Sequence, residues 1–149
     1  MERVNVLEEK LGPILFQLPP NWNLNLERLK AFLDALPSDV QYAFEFRDQR
    51  WFTDQTEKAL AEKGAAFCIY EIDQRQSPQP VTADFTYVRL HGPQGAYQGK
   101  YDTDTLAGWA GKLVSWSGEG KEVFCYFDND EKGYAAQNAL QLKEMVEKR

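Results

Sequence analysis

Two short stretches place reactive side chains at a two-residue spacing. Residues 42–46 read YAFEF and run into Arg47; residues 85–90 read FTYVRL and run into His91. On an extended strand alternate residues share one face, so Glu45 and Arg47 point the same way, as do Tyr87, Arg89 and His91. If both faces turn inward, a carboxylate, two guanidiniums and the only histidine of the chain converge. Guanidinium forks suit carboxylate or phosphate groups. Glu45 has the chemistry of a general base, and His91 that of an acid, a base or a metal ligand. The plainer alternative is an ion pair between Glu45 and Arg47 or Arg89 that only fixes strand register, with His91 a hydrogen-bonded structural group.

Further polar and aromatic residues stand at the ends of apolar runs. Gln17 closes the first, with Pro19, Pro20 and Trp22 beyond it. Arg50 and Trp51 follow the second, and Tyr70, Glu71 and Asp73 follow the third. The fourth leads into GPQGAYQGKY, with Tyr97, Lys100 and Tyr101, and the fifth ends in Asp128, Asn129 and Asp130. Glu45 and His91 are therefore the candidate catalytic groups. Gln17, Arg47, Trp51, Arg89, Tyr97, Tyr101 and Asn129 are the candidate substrate contacts. Trp51, Tyr97 and Tyr101 could stack on a sugar or base, or simply pack locally. Asp128, Asn129 and Asp130 read equally as turn and capping residues. A carboxylate pair with His91 could hold Mg²⁺, Mn²⁺ or Zn²⁺, but no ligand spacing demands a metal, and the sequence requires no cofactor. Gly92, Gly95 and Gly99 are too loosely spaced for a phosphate-binding fingerprint and suit a mobile lid. No serine-hydrolase signature is present.

The elements that must position these groups are strands and helices in alternation. Five runs read as strands: residues 14–18, 42–46, 65–70, 85–90 and 122–127. Each is short, rich in aromatic or branched residues, and bounded by Gly, Pro, Asp or Asn. Several are apolar on both parities, the pattern of strands covered on both faces. Leu26, Leu29, Phe32, Leu33 and Leu36 recur at helical spacing up to Pro37. Residues 54–63 form a second helix, with Asp54 as its cap and Gly64 just past its end. Leu106, Trp109, Ala110, Leu113 and Val114 mark a third, capped by Asp102 or Thr103. A last helix follows Gly133. The polar segment between Tyr70 and Phe85 reads as a loop, and an opening helix precedes the first strand. Such alternation predicts an α/β fold with a parallel sheet and right-handed crossovers. A flavodoxin-like open sheet fits, as does part of a (β/α)₈ barrel; a whole barrel needs about 250 residues.

Composition sets the outer limits. The chain has 149 residues, 43% hydrophobic and 13% aromatic, which excludes a disordered polypeptide. Its 17 Lys and Arg against 23 Asp and Glu give a net charge of -6, which argues against wrapping nucleic acid by bulk charge. No apolar run approaches the roughly 20 residues of a membrane span, and the first residues lack the apolar core of a secretion signal. A cytoplasmic protein is expected. Cys68 and Cys125 sit singly inside apolar runs, as core residues do.

Four ordered motifs then carry a resemblance: LGPILFQLPP, AFEFRDQRW, VTADFTYVRLHG with AYQGKY, and YFDND with KGYAAQNA. They resemble the domain-of-unknown-function 72 family, the YecE-like proteins, from about Leu11 to Leu142. The resemblance implies a TIM-type barrel, related to sugar isomerases by fold alone. Where the family's last strand commonly ends in Phe-Asn-Asn-Asp, this chain has Phe127, Asp128, Asn129 and Asp130, one amide replaced by a carboxylate. The family's opening strands have no counterpart here, so the chain is expected to supply five parallel strands resembling strands four to eight. An open arc of that kind leaves strands 14–18 and 122–127 as apolar edges. Either a homodimer or a separate N-terminal barrel half is expected to cover them. Three functions are consistent with these observations: an enzyme on a small anionic, sugar-like substrate, a metal-dependent phosphodiesterase, and a non-catalytic interaction module or split barrel half.

Overall fold

A computed structural model describes Leu7 and residues 10–149. The expected opening helix falls on residues that lie outside those described, Leu7 and Lys10 apart. The elements are β1 (Ile14–Leu18), α1 (Leu26–Ala35), β2 (Tyr42–Phe46), α2 (Asp54–Glu62), β3 (Ala66–Ile72), β4 (Arg75–Gln76), β5 (Phe85–Leu90), α3 (Thr103–Gly118), β6 (Glu122–Phe127) and α4 (Tyr134–Glu147). Five strands are parallel, in the spatial order β1-β2-β3-β5-β6, so each pairs with the next parallel strand in the chain. A flavodoxin-like sheet reverses its strand order at a switch point, and this one does not. It is an open, singly wound arc, a partial barrel.

Single winding puts the helices on one side. One apolar cluster joins Leu29 and Leu33 of α1, Leu60 of α2, Leu106 and Trp109 of α3 and Leu142 of α4 to one face of the strands. Within it an aromatic seam runs across β1 to β3. Phe16 lies 5.3 Å from Phe44, Phe46 lies 5.7 Å from Phe67, and Trp51 stacks on Phe46 at 4.9 Å. Each such buried ring contributes about 1.5–3 kcal/mol. The opposite, concave face has its own smaller cluster, Ala43, Ala66, Cys68, Phe85 and Tyr87, to which no helix among the described residues contributes. β2 is buried throughout, while β1 and β6 are only half-buried, as the free edges of an arc must be.

Most local signals act as expected. Asn25 caps α1 by accepting from the Arg28 N–H, and Asp102 rather than Thr103 caps α3 by accepting from the Thr105 N–H at 2.7 Å. The cap of α2 is Thr53, not Asp54: its hydroxyl accepts from the Thr56 N–H, and Asp54 becomes the first helical residue, where its charge suits the dipole. The segment after Tyr70 is not all loop. β3 continues to Ile72 and turns back as β4, with Ile72 opposite Arg75. The turn residues Asp73 and Gln74 both have positive φ, 50° and 60°. Two-residue hairpins of this kind normally carry a glycine, and its absence hides the turn in the sequence. Among the described residues no helix is long and apolar enough to cross a membrane.

Candidate functional site

Parallel strands put their carboxyl ends on one rim, and five consecutive strands here deliver polar side chains to it. Register aligns Gln17 with Glu45, and Tyr70 with Arg89 and Tyr126, all on the concave face. Glu45 is fully buried. One of its oxygens accepts from Arg47 Nε, and the other accepts from an Arg89 guanidinium nitrogen at 2.7 Å. The same nitrogen of Arg89 donates to Gln17 Oε1 at 3.1 Å, while its other terminal nitrogen pairs with Asp128. Cys68 Sγ also reaches Glu45, at 3.6 Å.

His91 lies fully buried between the two carboxylates. Its Nε2 is 2.9 Å from an Arg47 nitrogen and 3.4 Å from Glu45 Oε1. Arginine can only donate, so the Arg47 contact takes the tautomer protonated on Nδ1, whereas the Glu45 contact takes a proton on Nε2. Nδ1 stands 2.9 Å from Asp128 Oδ2, at an angle too bent for a hydrogen bond, and so is a buried ring nitrogen without an aligned partner. Two rings flank the imidazole edge-on, Tyr70 at 6.1 Å and Tyr97 at 5.7 Å. Arg47 lies 4.9 Å over the Tyr70 ring. The backbone fixes His91 as well: its N–H donates to Glu71 O at 2.8 Å, and its carbonyl accepts from the Tyr97 N–H. Gly92 follows at a φ of +123°, and a Cβ there would stand 2.4 Å from Gln98 O, so only glycine lets the chain leave the strand this way.

The electrostatics divide the carboxylates by role. Burial alone would raise the Glu45 carboxyl, but His91, Arg47 and Arg89 outweigh it and bring it down to about 2. A carboxylate so weakly basic is a poor proton acceptor near neutral pH. Glu45 is therefore the anchor that aligns two guanidiniums. Asp128 is held below its ordinary value by the neighbouring His91, against burial, and by Arg89. It is ionised and stands 2.9 Å from His91 Nδ1, which puts a negative charge beside the imidazole. The Cys68 thiol is pushed up by burial and by Glu45, which keeps it protonated and inert. Glu45 and Asp128 approach opposite ring nitrogens of His91, so the three do not face a common point. Among the described residues no three His, Cys, Asp or Glu side chains are arranged to hold a metal ion.

Beside this network a cleft of about 430 Å³ opens over the ends of β1, β2 and β3. Gln17, Arg47, Tyr70, Arg75 and Tyr97 are among its walls, and no carboxylate lines it.

Six of the nine sequence-predicted site residues meet here: Glu45, His91, Gln17, Arg47, Arg89 and Tyr97. The other three do not. Trp51 is buried on the helical side of the sheet, with its indole N–H donating to Trp22 O at 2.8 Å. Tyr101 is buried, its hydroxyl accepting from the Gly92 N–H at 2.9 Å. Asn129 is buried too and donates to Gly99 O and Asn138 Oδ1 at 2.8 and 3.0 Å. These last two moor the loop after β5. Asp128, Tyr70 and Arg75 join the site without having been chosen. Asp128 carried a signal, since it stands where the related pattern has an amide and shares parity with Tyr126.

Fold and site together define a (β/α) protein of the partial-barrel type, with an arginine–histidine–carboxylate network at the carboxyl ends of its strands. The chain belongs to the family described as "Protein of unknown function DUF72", whose model matches residues 1–149. It is similar to the UPF0759 protein YunF of Bacillus subtilis, 28% identical over 166 residues, which cover 93% of this chain and 58% of that protein. Among solved structures it resembles a DUF72 family protein of Thermotoga maritima, TM1631, with a TM-score of 0.83 and 28% identity over 95% of this chain and 60% of that one. A DUF72 family protein of Enterococcus faecalis, EF0366, shares the fold at 23% identity and a TM-score of 0.77, over 95% of this chain and 61% of that one. The chain thus spans about three fifths of the length of these relatives.

Proposed function

We propose that this chain carries the binding and proton-transfer site of an enzyme acting on a small anionic, sugar-like molecule. The observation that carries the reading is His91, buried between Asp128 and an Arg47–Glu45 pair, behind a cleft that Arg47, Tyr70 and Tyr97 line and no carboxylate does. Asp128 places its charge beside Nδ1 of the ring, and Arg47 faces both the ring and the cleft. His91 would move a proton to or from a substrate whose negative charge Arg47 draws in. Tyr97, half exposed at the cleft edge, offers a surface for a sugar ring. The test is deuterium incorporation from D₂O into a panel of phosphorylated and carboxylated aldoses and ketoses, followed by proton NMR. His91→Gln should abolish exchange, and Asp128→Asn should slow it by about 10²-fold or more. Exchange that survives in His91→Gln refutes the role given to His91.

A second reading concerns the flanks and holds alongside the first. Apolar grooves run along both edges of the arc. Phe16, Leu18, Trp22 and Phe32 line one of about 280 Å³, and Val123, Phe127, Leu142 and Val146 line another of about 580 Å³. We infer that both take the same occupant, further βα units that close a TIM-type barrel, matching the part of the relatives' length that this chain does not span. As a separate polypeptide that occupant is an N-terminal barrel half. Sedimentation of the chain alone is the check. A cooperative monomer at tens of micromolar (an order-of-magnitude choice) counts against unsatisfied flanks, and a dimer makes a second copy the occupant instead.

A further inference from the structure

The cleft beside His91 contains a cation that the catalytic network does not use. Arg47 and Arg89 are committed to Glu45, His91, Gln17 and Asp128. Arg75 is exposed, lines the cleft, and makes no ion pair among the described residues. Its setting is built rather than incidental. It follows the Asp73–Gln74 turn, where two consecutive non-glycine residues are held in the left-handed region at φ 50° and 60°. That conformation is unfavourable for both and persists only where surrounding bonds impose it. They are present: the Asp73 N–H donates to Gly92 O at 2.9 Å, which ties the turn to the loop that carries Tyr97. Gln76 Nε2 donates to the buried Glu71 carboxylate at 2.7 Å, and the Trp109 indole donates to the same oxygen at 3.3 Å. The hairpin is thus clamped from both sides, and the residue it delivers to the cleft is a free guanidinium.

We propose that Arg75 is the anchor for a phosphomonoester, with Arg47 as its partner across the cleft, so that the ligand of the site is a phosphorylated sugar or polyol. The inference rests on the functional reading above and names its substrate class. Arg47 spends one N–H on Glu45 and one on His91, and Arg75 spends none on an acidic side chain among the described residues. Two guanidinium forks, one just past β2 and one on β4, suit a tetrahedral dianion with three terminal oxygens better than a planar monoanion. The wall has no carboxylate to repel that dianion, in a chain whose net charge is -6. The amide nitrogen of Gln17, whose oxygen accepts from Arg89, and the Gln49 amide also line the wall and suit hydroxyls. A volume of about 430 Å³ suits a small ligand of this kind.

The experiment is titration calorimetry of the intact chain with glucose 6-phosphate, inorganic phosphate, glucose and glucuronate. Glucose 6-phosphate should bind, phosphate more weakly, glucose not measurably, and glucuronate at least about tenfold more weakly than the phosphate ester. Arg75→Ala should weaken glucose 6-phosphate at least about tenfold, Arg75→Lys should recover part of the loss, and Lys30→Ala on α1 should change nothing. Equal affinity in Arg75→Ala, equal affinity for glucuronate, or no phosphate-dependent binding at all overturns the inference. Failure here can be separated from failure of the functional reading. His91-dependent proton exchange on an unphosphorylated substrate would leave that reading standing without Arg75. Arg75-dependent phosphate binding with His91→Gln fully active would do the reverse.

Discussion

Replacing Glu45 by glutamine removes the charge at the centre of the network while keeping its shape. In the folded protein the carboxyl is lowered from an ordinary 4.5 to about 2, with burial opposing the shift and His91, Arg47 and Arg89 driving it. A depressed carboxyl contributes stability that is complete above its unfolded value and is lost as pH falls through the folded one. At about 1.4 kcal/mol per pH unit the contribution is about 3 kcal/mol near neutral pH, and about 2 kcal/mol of it is gone by pH 3. Asp128 titrates in both proteins, and only the part of its shift that comes from the Glu45 charge enters the comparison. The assay is urea unfolding of the parent chain and of Glu45→Gln from pH 6.5 to pH 2.5 (a range of about two units either side of 4.5). The difference between their unfolding free energies should be largest above pH 5 and should shrink by about 2 kcal/mol on reaching pH 3. Two curves that run parallel across that interval would refute the argument that Glu45 is a deeply stabilised carboxylate, and with it the assignment of Glu45 as an anchor rather than a base.

Arg89→Met keeps most of the volume but leaves Glu45 buried with one guanidinium fewer, and should cost about 3–5 kcal/mol in the same denaturation assay. Combining it with Glu45→Gln should cost less than the sum of the two, because the stranded charge is then gone. Gln74→Gly relieves a left-handed φ of 60° and should stabilise the chain by about 1 kcal/mol, read as a higher urea midpoint at unchanged slope. Gly92→Ala drives a Cβ to 2.4 Å from Gln98 O and should cost about 2–3 kcal/mol, with faster proteolytic cleavage inside residues 92–101 than in the parent chain.

The sequence by itself determined whatever depends on near neighbours along the chain. The bounds of β1, β2, β5 and β6 coincide with the apolar runs at 14–18, 42–46, 85–90 and 122–127, because alternation and the Gly, Pro and Asp that end it are local properties. That Glu45 shares a face with Arg47, and Arg89 with His91, follows from the same two-residue period. The tertiary structure decided which of these faces meet. Strand order brings β5 beside both β3 and β6, so Arg89 spans from Glu45 to Asp128, 39 residues further on, a contact that no spacing encodes. It also decided the exclusions. Trp51 stands four residues after Arg47 yet turns to the opposite side of the sheet, where stacking on Phe46 buries its ring. Arg75 reached the cleft through a turn held by bonds to Gly92, against the local preference of Asp73 and Gln74. The role of Glu45 was settled last and least locally. Desolvation pushes its carboxyl up and three cationic or donor neighbours from two strands pull it down. The outcome is a sum over distances, and distances between strands exist only once the chain has folded.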